Sequence, residues 1–183
     1  MRPADRRGPW AVCLALSACL LGPAFGQGWA EAQAALNEDE VKAAFLYNFG
    51  KFVQWPPSSH RQGDIVIGVL GSSRVLAVLE GIARGQQING RAVVVRAMGA
   101  DDDPRAYHIV FIGTAAARRA REIVGRVHAA GVLTVGEQPD FLAEGGLVRF
   151  YVRDRRIRFE IDPVGAQRDG LKISAQLLSL AAR

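Results

Sequence analysis

Cysteine is confined to the start of this 183-residue chain, where Cys13 and Cys19 are the only two. A domain that begins after them has no thiol nucleophile, no disulfide and no cysteine metal site. Histidine is scarce as well. His60, His108 and His128 are scattered over a loop, a strand start and a helix, and no Gly-x-Ser-x-Gly elbow accompanies them, so a serine hydrolase lacks its parts. Neither the dinucleotide fingerprint nor a P-loop is present. Apolar runs are short: the one of note, Trp10 to Leu21, falls well below the roughly 20 residues that a spanning helix needs. Excess charge of one sign is missing too. The first 26 residues carry three Arg and one Asp of the chain's 23 basic and 18 acidic side chains, which leaves a net charge of only +3 after them. That is too mild for a nucleic-acid surface.

What is present at the start is an export signature. Arg2, Arg6 and Arg7 precede the apolar run, and Pro23, Ala24 and Gly26 follow it. A charged start, a short apolar middle and a small-residue exit form a secretory signal peptide. Ala24-Phe25-Gly26 favours a cut before Gln27, so residues 1–26 are read as the signal. Leu16-Ser17-Ala18-Cys19 is the rival, a lipoprotein box that would anchor the chain through Cys19, although Leu20 and Leu21 continue the apolar run past it. Either reading places the protein in the periplasm.

Residues 27–37 read as a loose, polar, alanine-rich lead-in, and residues 38–183 as one domain. Asn37 to Glu40 place acids where a first helical turn favours them. Val41, Phe45, Asn48, Phe49 and Phe52 then recur at helical spacing up to Trp55-Pro56-Pro57, which predicts a helix with an aromatic core face. Ile65 to Leu70, Ala92 to Arg96, Ile109 to Ile112 and Val132 to Val135 read as buried strands, with helices over Arg74 to Gly81 and Ala115 to Ala129. Strand–helix alternation predicts an α/β domain with a mostly parallel sheet flanked by helices. Val148, Phe150 and Val152, then Ile157, Phe159 and Ile161, alternate with polar residues about Asp154-Arg155. That predicts a C-terminal antiparallel β-hairpin with one buried face. A short helix or turn over Pro163 to Asp169 and a closing helix capped by Ser174 complete the reading.

Two groups of residues are candidate sites. Three expected strands end in Gly71-Ser72, Gly113-Thr114 and Gly136-Glu137. Ligands of open α/β sheets lie outside such carboxyl ends, and Ser72, Ser73 and Arg74 at a helix start would suit an anion. Gly71, Ser72, Ser73, Arg74, Gly113 and Thr114 therefore form the candidate ligand edge, against plain turn and cap chemistry. The second group is the hairpin, where Arg149, Tyr151 and Arg153 share a face and Arg155, Arg156 and Arg158 follow. Arg and Tyr are enriched at binding hot spots, so Arg149, Tyr151, Arg153 and Arg158 are candidate partner contacts. The same face would suit anionic lipid, or serve as a solvated guard of a sheet edge. Catalytic residues, a metal site and a cofactor are not expected. His108 with Asp102 or Asp103, Glu137, and the Glu160 and Asp162 carboxylates are the nearest approaches to one.

The segment Val41-Lys42-Ala43-Ala44-Phe45-Leu46-Tyr47-Asn48-Phe49-Gly50-Lys51-Phe52-Val53-Gln54-Trp55-Pro56 resembles the opening helix of the YfiR family of periplasmic proteins. Gly145-Gly146, Val152 to Ile161 and Gly170-Leu171-Lys172-Ile173-Ser174 before Leu177-Leu178 are similar to its closing segment, and Ile109 to Gly113 to its central strand. The resemblance covers about residues 38–182. It implies a single, often dimeric α/β domain that is not an enzyme. The role implied is repression of a membrane diguanylate cyclase through that enzyme's periplasmic sensor portion, hence control of cyclic-di-GMP, with an outer-membrane lipoprotein as sequestering partner. It also implies Trp55 as a ligand-pocket residue. The disulfides behind redox control in the best understood member of that family have no counterpart after Cys19, so redox control does not carry over.

Overall fold

A computed structural model describes residues 25–56, 63–99 and 101–181. The signal-type segment through Ala24, and His60, lie outside the described residues. Helix α1 runs over Phe25–Phe52. It thus includes residues 27–37, which the sequence reading took as a loose lead-in, and Asn37 to Glu40 fall inside the helix rather than in its first turn. The physical reason is composition: Ala, Gln, Glu and Leu are strong helix formers without tertiary help.

The chain then lays down β1 (Val53–Gln54), β2 (Ile65–Leu70), α2 (Ser73–Ala83), β3 (Gln87–Ile88), β4 (Arg91–Ala97) and β5 (Ile109–Ile112). A 3-10 turn at Thr114–Arg119 leads into α3 (Ala120–Val127), shorter than the helix expected from Ala115. β6 (Leu133–Gly136), β7 (Val148–Arg153), β8 (Arg156–Ile161), α4 (Pro163–Arg168), β9 (Lys172–Ile173) and α5 (Ala175–Leu180) complete it.

Seven strands form one sheet in the order β3-β4-β2-β5-β6-β7-β8. The interior run β4-β2-β5-β6-β7 is parallel, and both ends are antiparallel hairpins. Two strand pairs escaped the sequence reading. The β3–β4 hairpin turns at Asn89-Gly90, both at positive φ (53° and 77°), as a type I′ turn requires. The second pair is β1 with β9, which ties the end of α1 to the start of α5.

The central strands β2 and β5 read as unbroken apolar runs because both faces are covered. On one face Ala43, Leu46, Phe49, Leu79 and Leu177 join the inward residues of the sheet. On the other, Ile123, Val124, Val127 and Phe141 cover Val110 and Ile112. The aromatic stripe of α1 meets the hairpin: Phe45 and Phe49 lie 5.1 and 5.3 Å from the ring of Phe159 in edge contact, and Phe49 lies 5.8 Å from Phe150. Each such pair adds about 0.5–1.5 kcal/mol beyond area burial.

The hairpin outruns its sheet. β6 pairs with β7 only at Val135↔Val148 and Gly136↔Arg149. Phe150 to Arg153 therefore continue beyond β6 as a two-stranded arm with β8, about 13 Å long. Asp154 and Arg155 close the arm at φ 52° and 55°. Aspartate tolerates that conformation, whereas arginine pays about 1–2 kcal/mol for it.

Candidate functional site

The ligand edge expected from the glycines falls where the chain topology changes. β2 has β4 on one side and β5 on the other, so the carboxyl ends of β2 and β5 flank the switch point of the sheet. Gly71 and Gly113 occupy those ends, and the protein closes the crevice with its own backbone. Gly113 N donates to Leu70 O at 2.8 Å, and a Cβ at Gly113 would sit 2.8 Å from Gly71 O. A Cβ at Gly71 (φ +74°) would sit 2.7 Å from Ala116 N. These two glycines are small because backbone meets backbone there.

The polar groups of that edge also have partners. Ser72 Oγ accepts from Val75 N at 3.3 Å and caps α2. Thr114 N donates to Glu137 Oε2 at 3.0 Å, while Glu137 Oε1 lies 2.6 Å from Lys42 Nζ, both side chains being largely buried. Ser73 and Arg74 remain exposed. The Lys42–Glu137 pair leaves no trace in the sequence, since nothing in their spacing along the chain links α1 to the end of β6.

Trp55 sits at the opposite end of the sheet. Its Nε1 donates to His108 O at 3.1 Å, and its ring meets the His108 ring edge-on at 5.4 Å. His108 is fully buried just before β5. Its Nδ1 accepts from Val66 N at 3.1 Å, and the Arg91 guanidinium lies 2.8 Å from its Nε2. The structure therefore does not bring Trp55 together with Gly71, Ser72, Gly113 and Thr114. His108 and Glu137 are separated along the strands by about five residues, roughly 16 Å, and cannot act on one substrate atom.

The carboxylates considered for chemistry are engaged elsewhere. Asp102 Oδ2 accepts from Gly99 N at 2.8 Å and from Tyr107 OH at 3.1 Å. Those two hydrogen bonds, Gly99 first, hold its carboxyl below the usual carboxylate range. Burial, and then the bond to Asp102, pushes the Tyr107 phenol up. Asp103 is lowered chiefly by the side-chain hydrogen bond from Arg105. Asp162 Oδ1 accepts from Val164 N and Gly165 N and caps α4. Among the described residues, no group of three or more His, Cys, Asp or Glu side chains is placed to hold a metal.

The hairpin carries a cluster of exposed cations. Arg149 is the exception: it pairs with Glu160 directly across the hairpin (Nη2–Oε2 2.9 Å) and lies over the Tyr151 ring at 5.0 Å. Arg153 and Arg158 are exposed and stand in no ion pair among the described residues. Arg155 and Arg156 share that condition.

Beside the arm runs a groove of about 470 Å³, lined by Glu38, Val41 and Phe45 of α1 and by Val152, Arg155, Arg156 and Ile157 of the hairpin. Val152 is 53% exposed and Val41 40%. The sequence reading assigned Val152 to the buried face, and its direction is as expected. Its exposure has a geometric cause: the arm projects beyond the rungs that Phe45 and Phe49 cover.

A seven-stranded, mainly parallel α/β domain with a projecting arginine-rich arm, and no helix among the described residues long and apolar enough to cross a membrane, defines the class. Residues 39–182, nearly four fifths of the chain, match the YfiR/HmsC-like family, and the chain belongs to it. That family points to periplasmic regulation of cyclic-di-GMP signalling.

Proposed function

We propose that the protein is a non-enzymatic regulator, exported by its N-terminal signal, that docks on the periplasmic sensor portion of a membrane diguanylate cyclase and represses it. The observation that carries the reading is the hairpin arm: a two-stranded projection whose exposed arginines stand in no ion pair among the described residues, in a chain of the YfiR/HmsC-like family. Arg153, Tyr151 and Arg158 are the docking contacts, with Arg149 holding Tyr151 in place. To repress, the protein must bind the inactive sensor more tightly than the active one, by about 5.5 kcal/mol for a full swing from 1:99 to 99:1. An outer-membrane lipoprotein would relieve repression by competing for the same protein, and a homodimer is compatible with this role.

The test is affinity capture from solubilised membranes with the exported protein, together with the cyclic-di-GMP level of cells lacking it. A captured cyclase and raised cyclic-di-GMP are expected. Capture of no membrane sensor, with cyclic-di-GMP unchanged, overturns the reading. Small-molecule binding at the Gly71–Gly113 edge is the weaker alternative, because Ala116 fills the approach to Gly71.

A further inference from the structure

We infer that the groove between α1 and the hairpin tip seats an acidic amphipathic helix of the protein partner, an assignment that rests on the docking role proposed for the hairpin. Glu38, Val41 and Phe45 are spaced three and four residues apart, so α1 presents one helical stripe to the groove. Val152 and Ile157 face that stripe as a cross-strand pair. The apolar ladder that begins with Phe150 and Phe159 in the core thus continues one rung further, where Ile157 is still buried but Val152 lies open. Val152 and Val41 are two of the four large exposed apolar side chains among the described residues, and the groove gathers both. A helix laid along α1 would meet that stripe with its own and close the ladder, as helix-in-groove recognition does.

Charge selects the occupant. The hairpin wall of the groove carries Arg155 and Arg156, neither of which stands in an ion pair among the described residues, while Arg153 and Arg158 lie on the face of Tyr151, away from Val152. Glu38 is the one acid lining the groove. Carboxylates flanking an apolar stripe complement this rim, and lysines in their place would be repelled. The turn adds an independent sign. Arg155 occupies the left-handed region at φ 55°, where glycine or asparagine would sit without strain. Strain kept at a tip whose arginine stands in no ion pair among the described residues is the pattern of a functional constraint.

The experiment uses the protein purified from the periplasm and a synthetic acidic helix with leucines at i, i+3, i+4 and i+7 and glutamates on its flanks. Saturable binding is expected, weakened at least about tenfold by Val152→Asp and several-fold by Arg155→Gly. Arg155→Gly should at the same time raise Tm by about 2–4 °C, separating lost binding from lost folding. Arg84→Glu, at the opposite edge of the sheet, should bind like the parent. Equal binding of the peptide with lysines in place of the glutamates, or full binding by Val152→Asp, overturns the groove assignment. So does a groove that serves only self-association or anionic phosphatidylglycerol vesicles. If Val152→Asp still captures the cyclase, the docking role stands and the groove assignment fails. If the peptide binds but no sensor is captured, the docking role fails instead.

Discussion

Lys42 reaches from α1 to the end of β6, where its Nζ lies 2.6 Å from Glu137 Oε1, and the other carboxylate oxygen accepts from Thr114 N. One side chain thus ties three segments: the opening helix, the turn after β5 and the turn after β6. Removing one member of a largely buried charged pair leaves the other uncompensated, whereas removing both does not. Glu137→Gln and Lys42→Met should each cost about 2 kcal/mol in urea unfolding, and the double variant distinctly less than the sum. Additivity would show that the pair does not act as a unit.

The four hairpin candidates should not behave alike. Arg149 faces Glu160 across the strands, so Arg149→Glu would set two carboxylates opposite each other, which is destabilising. It should lower stability by about 1 kcal/mol or more. Arg153→Glu and Arg158→Glu, at exposed positions without an ion pair, should stay within about 0.5 kcal/mol of the parent while weakening sensor capture. Denaturant melts of the three variants beside the capture assay separate folding from docking. If Arg153→Glu and Arg158→Glu capture the sensor as well as the parent, the outer face of the arm is not the contact.

How far the sequence foretold these arrangements differs by element. The strands Ile65–Leu70 and Ile109–Ile112 were legible because both sheet faces are buried and the apolar runs are unbroken. The hairpin was legible from its period of two. Residues 27–37 are helical by propensity rather than by the amphipathic spacing that marks Val41 to Phe52, so the periodicity does not reveal them. The β1–β9 pair was missed because two-residue strands carry no periodicity. At the site, the sequence located the glycines correctly at strand ends, but not the inward packing of Ala116 that fills the space beside Gly71. Lys42 with Glu137, and Trp55 with His108, are long-range pairings that no local pattern encodes.

Acid should loosen the turn before β5. The carboxyl of Asp102 is held below its ordinary value by the Gly99 and Tyr107 hydrogen bonds, and that of Asp103 by Arg105. A carboxyl with a lowered folded-state pKa contributes stability that is complete above its unfolded value and lost as pH falls through the folded value. Their contribution is therefore present at neutral pH and disappears below about pH 4. Tyr107 has the opposite sign: its raised phenol contributes below about pH 10 and loses that contribution as pH rises through the folded value. Asp102→Asn should flatten part of the acid limb of a stability–pH curve, and Tyr107→Phe part of the alkaline limb. An unchanged acid limb in Asp102→Asn would remove this carboxylate from the account.

The Trp55–His108 contact predicts a graded pair of losses. Trp55→Phe keeps much of the ring packing but removes the Nε1 donor to His108 O. That carbonyl still accepts from Leu133 N at 2.9 Å, so the loss should be only about 1 kcal/mol. His108→Ala is a different matter. It opens a cavity at a fully buried position and strips the acceptor from Val66 N at the start of β2. Cavity and unsatisfied donor together should cost about 3 kcal/mol. If Trp55 instead served chiefly to bind a ligand, Trp55→Phe would leave unfolding untouched and abolish a ligand-induced rise in Tm. Denaturant melts of both variants, with and without candidate small molecules, discriminate the two roles, and the structural role requires His108→Ala to be the more damaging substitution.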